Sequence, residues 1–389
     1  MSATDNLIGE GPLAKPSKAG GRGISHSSEA LTEADRLMTI CNSCRYCQGL
    51  CAVFPAMELR RDFTEGDLNY MANLCHACGA CFADCQFSPP HDFEVNVPRT
   101  MATLRAETYS TYAWPGFLSG LFQRNGLVIS IITALSVAGF ILGFVYANSP
   151  DLLWSVHTGP GAFYKLMPHN AMALLFGTVF VGSIIAICMG ARNFWKHTDN
   201  PSISSTGNGF WGALTDSFKL RYLDGGGAGC SGETTQRKDG RKHAHHLTFY
   251  GFLLCFASTS VATLYHYLLD REAPYPWWDL PVVLGTLGGI GLIFGPAGLL
   301  LEKFRRPLEL QDQDKFGMDT GFILMLFLTS LTGLALLILR ETSWMGILLA
   351  IHLGVVFSLF VTLPYSKFVH GIYRFMALIR FARESSANH

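Results

Sequence analysis

Apolar residues are spread thinly over the opening segment of this chain and then close up. After about residue 126 they fuse into runs that match the roughly 20 residues a helix needs to cross a bilayer. Six runs stand out: Leu127 to Ala147, His169 to Gly190, His246 to Leu268, Pro281 to Leu301, Gly321 to Leu339 and Trp344 to Val369. Any one of them would suit a buried core helix, but six in succession exceed what a soluble domain encloses, so the pattern predicts a six-helix transmembrane bundle. Upstream the pattern is that of short helices. Thr32-x-x-Asp35 is a start signal for a helix that delivers Cys41, and Thr64 with Glu65 and Asp67 opens a second one, in which Leu68, Tyr70, Met71 and Leu74 lead into Cys75. An oxygen at such a cap accepts a hydrogen bond from an N–H that the first turn leaves open. No alternating strand pattern separates Cys51 from Cys75, so the head is read as all-α. Pro98 suits the first turn of a further helix; the Tyr109, Tyr112 and Trp114 that follow fit either a membrane-interface belt or a plain linker helix. Residues 1 to 30, rich in Gly, Ser and Lys without an apolar stretch, read as a disordered leader rather than a signal peptide.

Charge adds an orientation. Only 15% of residues are charged against 49% hydrophobic, and the net charge is zero, which gives no reason to expect nucleic acid. Of the 29 Lys and Arg residues, only Lys165, Arg271 and Arg340 fall on one side of the six spans; the other 26 lie before the first span, in the 191 to 242 and 302 to 319 loops, or after Tyr365. Positive residues stay on the cytoplasmic side. The head and both chain ends are therefore expected there, and topology alone accounts for the basic loops.

Cysteine spacing supplies the chemistry. Eight of the eleven cysteines form two copies of one run, Cys41-x2-Cys44-x2-Cys47-x3-Cys51 and Cys75-x2-Cys78-x2-Cys81-x3-Cys85. A [4Fe-4S] cubane takes one thiolate per iron, and in doubled runs of this kind the fourth cysteine ligates the other cluster. Cys41, Cys44, Cys47 and Cys85 would then hold one cluster and Cys75, Cys78, Cys81 and Cys51 the other. Disulfides suit short secreted chains, and zinc usually takes two-plus-two spacing. The proline that often follows the last cysteine is displaced here, to Pro55 and to Pro89 with Pro90. Helix-borne runs of this kind look like the α-helical ferredoxin module of succinate dehydrogenase and heterodisulfide reductase subunits. Cys188, Cys230 and Cys255 lack ligand spacing.

Histidines within spans are costly unless paired or bound. His352 and His370 are 18 residues apart in the last run, five turns of one helix, so they would share a face about 27 Å apart. The third run carries His243, His245 and His246 at one end and His266 near the other. Matched levels on two helices predict b-type haem between them: His370 with His245 or His246 on the cluster side, and His352 with His266 on the far side. His169 is a rival partner for His352. The glycines from Gly285 to Gly298 include GxxxG pairs, which favour close helix packing.

Two resemblances extend these readings. The stretch from Ile351-His352-Leu353 to Leu363-Pro364-Tyr365-Ser366-Lys367-Phe368-Val369-His370 resembles the last haem-binding helix of nitrate reductase gamma subunits. The doubled cysteine runs, Val97-Pro98-Arg99, Arg105-Ala106-Glu107, Tyr112-Ala113-Trp114-Pro115 and the ending Phe368-Val369-His370-Gly371-Ile372-Tyr373-Arg374 are together similar to the TcuB/CitB family of tricarballylate utilisation proteins, over roughly residues 35 to 380. They are also similar to the C-terminal half of CobZ-type proteins. The family resemblance implies a partner, an FAD-dependent dehydrogenase of the TcuA kind, which this chain would re-oxidise.

The expectation is therefore an all-α protein: an α-helical ferredoxin head with two [4Fe-4S] clusters, then a six-helix transmembrane cytochrome b-like bundle. Its segments would be a leader (1–30), the cluster domain (31–100), an interfacial linker (101–126), the haem domain (127–370) and a cytoplasmic tail (371–389). It would act in the inner membrane, carrying electrons from the flavoprotein, docked near Val97 to Arg105, through the clusters and one or two b haems to quinone. The alternative is a quinol-oxidising subunit that feeds a soluble reductase. A six-span transporter would leave the clusters without a task. No nucleophile, acid–base pair or phosphate loop is present, so no catalytic residue is expected and the cofactors carry the electron chemistry.

Overall fold

The computed structural model describes residues 26–122, 125–147, 150–225, 240–310 and 316–387. Residues 1 to 25 of the expected leader, and Cys230, lie outside these. Every regular element among the described residues is helical.

The head is built from α1 (Glu29–Cys44), α2 (Val53–Glu58), α3 (Glu65–Leu74), α4 (Ala80–Ala83) and α5 (Val97–Thr111). α3 begins where its signal predicts. The Thr64 side chain accepts from the Asp67 N–H while the Asp67 carboxylate accepts from the Thr64 N–H, a reciprocal capping box. α1 instead begins a turn before Thr32, because Ser28 caps it by accepting from the Leu31 N–H, and the Thr32 hydroxyl is spent on the Ser28 carbonyl. Asn96 caps α5 and Pro98 sits in its first turn, where its missing N–H costs nothing.

Six helices are long and apolar enough to span a membrane: α6 (Asn125–Ala147), α8 (His169–His197), α10 (Gly240–Leu269), α11 (Leu280–Arg305), most of α12 (Phe316–Leu339), and α13 (Met345–Thr362) with the turn after it. Short helices α7 (Pro150–Trp154) and α9 (Phe210–Phe218) lie between them. α13 is the central span, packed against α6, α8 and α12, while α10 lies along α11.

The last apolar run is not one helix. α13 ends at Thr362, a 3-10 turn covers Leu363–Tyr365, and α14 runs Val369–Ala387. Pro364 has no N–H to continue the ladder and its ring crowds the preceding turn. His352 and His370 consequently sit on different helices, and the expected five-turn shared face does not exist. The segment after 371, expected as a cytoplasmic tail, is packed against the head. Tyr373, Ala377 and Leu378 of α14 are buried in the same core as Leu37, Met57, Leu68 and Met101 of the head, and Phe194 of α8 and Met318 of α12 join them. Tyr109 and Tyr112 belong to this core at 0% and 3% exposure, so they are neither a membrane-interface belt nor a linker. Head, span ends and α14 form one packed unit.

Candidate functional site

The eight head cysteines are all free thiols, and they line two cavities. The first is lined by Cys41, Cys44, Cys47, Cys85 and Cys81. The second is lined by Cys51, Cys75, Cys78 and Cys81. Each cavity thus draws its fourth cysteine from the other run, with Cys81 at the wall between them. Helix ends deliver the ligands: α1 ends at Cys44 and turns at Arg45 with φ +56°, while α3 stops just before Cys75. Gly79 holds φ +95° to start α4, the turn that presents Cys81, a conformation that an L side chain rarely adopts.

Among the described residues no three His, Cys, Asp or Glu side chains converge as closely as one metal ion requires. Four thiols spread around one cavity suit a cubane, which offers each thiolate a separate iron corner, better than a tetrahedral zinc. Burial, followed by the neighbouring Cys47, Cys85 and Cys44 sulfurs, pushes the Cys41 thiol up to about 12. Burial, then Cys85, Cys44 and Asp84, raises Cys47 to about 11. Cys51, Cys75 and Cys81 are also raised, chiefly by burial. Binding iron as thiolates requires these buried thiols to give up their protons.

Around the second cavity the basic residues do more than set topology. Arg105 of α5 donates to the Cys75 carbonyl, and Arg374 of α14 donates to the same oxygen at 3.0 Å and to the Asn73 carbonyl at 3.3 Å. Arg241, in the first turn of α10, donates to the His76 carbonyl at 2.8 Å, and Arg306, just past α11, donates to Ala77. Four guanidiniums from four parts of the chain thus hold the carbonyls of residues 73 to 77. Sequence reasoning counted Arg241 and Arg306 only as charge, and Arg105 and Arg374 also as parts of the family motifs, but gave none of them this role. The one local signal was their spacing from histidine: Arg241 and His245, and likewise His370 and Arg374, are four residues apart and share a helix face.

One turn beyond those arginines, the His245 and His370 rings face each other with centroids 6.2 Å apart and planes at 74°. With metal–nitrogen bonds of about 2 Å, two imidazoles at this separation could hold one metal centre between them. His370 Nδ1 donates to the Lys367 carbonyl at 2.5 Å, which directs Nε2 outward as the free lone pair. His245 Nδ1 is buried without a hydrogen-bond partner. His245 and His370 are the expected histidine pair that the fold brings together. His246 is not part of it and sits 5.8 Å from the Tyr250 ring.

The far-side pair is not assembled. His266 stacks on His169 with centroids 3.4 Å apart, too close for an iron between them, and Tyr164 meets both rings edge-on. His352 turns to α12, where its Nδ1 is 3.0 Å from the Thr332 hydroxyl and its ring fills the space beside Gly333. The cause is the packing of α10. A Cβ at Gly288 would lie 2.8 Å from the Cys255 N, and one at Gly291 2.9 Å from the Leu247 carbonyl, so α10 is held against α11 instead of α13. Cys255 is packed into that contact and Cys188 faces outward. In the segment expected to receive a partner, Val97, Pro98, Met101, Leu104 and Arg105 are buried, while Arg99 is exposed.

Comparison with known proteins agrees with this division of the chain. Residues 34–111 match a family described as the citrate utilization protein B Fer4-like domain, and residues 121–389 match citrate utilization protein B. The citrate utilization protein B of Escherichia coli is 48% identical over 362 residues, covering 92% of this chain and 93% of that protein. No solved structure matches significantly. The Fer4-like head and the family name point to iron–sulfur electron transfer in citrate or tricarballylate utilisation, and the six apolar spans to a membrane protein. With both of its parts matched in order and nearly its whole length aligned, the chain belongs to the citrate utilization protein B family.

Proposed function

We propose that this chain is the membrane electron-transfer subunit that re-oxidises a flavoprotein dehydrogenase of the tricarballylate type and delivers its electrons to quinone. Cys41, Cys44, Cys47 and Cys85 would hold one [4Fe-4S] cluster, Cys51, Cys75, Cys78 and Cys81 the second, and His245 with His370 a b-type haem. When bound, these groups supply one-electron transfer, the chemistry that links a flavin to quinone. The protein's own residues hold them in line. α10 and α14 each place an arginine on the second cluster loop and, one turn further, a histidine in the facing pair. That shared frame is the observation that carries the reading, because it ties the cluster loop and the histidines to the same two helices. Arg105 and Arg306 brace the loop from two further sides.

The positive-inside bias supports a cytoplasmic head on the inner membrane. The redox unit then comprises residues 31–100 extended by α5 and α14. A flavoprotein would approach the first cavity, which no span lines and whose rim carries Tyr46 at 73% exposure.

Iron, acid-labile sulfide and haem assays on the purified full chain test the reading, together with two variants. Cys85→Ser should lose the EPR signal of the cluster that also disappears in Cys41→Ser. His370→Ala should lose the reduced b-type absorbance and keep both cluster signals. Loss in Cys85→Ser of the cluster that Cys78→Ser removes would refute the crossed grouping, and intact haem in His370→Ala would refute the axial pair.

A further inference from the structure

We infer that Arg105 and Arg374, with Arg241 and Arg306 beside them, raise the reduction potential of the cluster held by Cys51, Cys75, Cys78 and Cys81 above that of its neighbour, so that electrons run from the first cavity toward the membrane. The inference rests on the proposed function and gives it a direction.

The two cavities differ in the charge built around them. Both nitrogen donors aimed at the Cys75 carbonyl come from guanidiniums, and Arg105 is 8% exposed. Neither Arg105 nor Arg374 takes part in an ion pair among the described residues, so their charge is left for whatever occupies the cavity. Buried cations without a carboxylate are unfavourable unless an anion completes them. A cubane with four thiolates is such an anion. At the first cavity the nearby charges are exposed and partly screened by solvent: Asp84, which acts on the Cys47 thiol, and the Arg45 guanidinium within the ligand run, which is bonded to Asn42.

Adding one electron makes a cluster more negative, and a fixed positive charge nearby in a poorly polarisable setting stabilises that state. The transfer balances as one electron: the first cluster is oxidised, the second reduced, and no proton or bond changes place. The same arginines occupy the route from Cys75 to His245 and His370, so the better acceptor is the cluster nearer the histidine pair.

The test is an EPR-monitored redox titration of the full chain in membranes, with the signal of the second cluster assigned as the one that Cys78→Ser removes. In Arg105→Gln and Arg374→Gln the midpoint of that cluster should fall while the other stays in place. Arg374→Lys, which keeps the charge, should stay near the parent. Asp84→Asn should raise the first cluster alone. If Arg105→Gln fails to accumulate, Arg241→Gln at the edge of the frame should show a smaller fall of the same kind. Equal movement of both midpoints, no movement in any arginine variant, or an Arg374→Lys midpoint as low as that of Arg374→Gln would overturn the inference. A parent chain without cluster signals or acid-labile sulfide would instead overturn the proposed function, and the inference with it.

Discussion

Arg60 is the most enclosed arginine in the head. Its Nε meets Asp67 Oδ1 at 2.6 Å, Nη2 meets Glu384 Oε1 at 2.7 Å, Nη1 meets the Ala56 carbonyl at 2.6 Å, and the Tyr70 ring lies 4.9 Å below. Burial alone would lower the guanidinium pKa, but Glu384, Tyr70 and Asp67 hold it above its usual range. Removing Glu384 leaves Asp67 on the guanidinium but strips it of buried charged hydrogen bonds, each worth about 1.5–3 kcal/mol. Glu384→Leu should therefore lower the unfolding temperature of the head sharply in a thermal scan followed by circular dichroism. The double variant Arg60→Met with Glu384→Leu should cost less than the two single changes added together, because each removes the other's stranded partner. Additive effects would show that the pair is not coupled. The cysteine groups could be read from the chain because short covalent spacing constrains where ligands go. Nothing local announces that Arg60 will meet a carboxylate more than 300 residues on, and the arginines on residues 73 to 77 are hidden for the same reason.

At the scale of elements, the spans were legible as apolar runs and the α10–α11 contact as a glycine pattern. Gly288, Gly291 and Gly295 let the two backbones approach until a Cβ would meet main-chain atoms at 2.8, 2.9 and 2.6 Å respectively. Main chain cannot swing aside as a long side chain can. Gly288→Val should force the helices apart at a cost of about 1–3 kcal/mol, typical of an overpacked interior. It should also shift His245 relative to His370. Gly139→Ala on α6, where nothing lies within 4 Å, should be silent. Detergent-solubilised unfolding curves check both, and equal midpoints for the two variants would contradict the close contact. The break at Pro364 was visible as a residue but lost in the pattern, because hydropathy records side chains and not a missing N–H. That single omission placed His370 on the same helix as His352, where the structure has two.

For the whole molecule, the decisive feature is that the head does not close on itself. Its core borrows Tyr373, Ala377 and Leu378 from α14, and its buried arginine borrows Glu384 from the same helix. Fully burying a large apolar side chain contributes about 1.5–3 kcal/mol, and each charged hydrogen bond that Arg60 loses with Glu384 costs about as much again. Against a total stability of about 5–15 kcal/mol for a typical domain, losing α14 leaves little margin. A chain ending at Tyr365 keeps all eight cluster cysteines and all six spans, so ligand count and topology alone would predict an unchanged iron content. The shared core predicts otherwise. The truncated protein should insert in the membrane, carry markedly less iron and acid-labile sulfide than the parent, and lose its head to limited proteolysis. Supplying residues 366 to 389 as a separate co-expressed segment should restore part of the cluster content, because α14 docks through side chains. Parental iron, sulfide and protease resistance in the truncated protein would show that the head folds without α14.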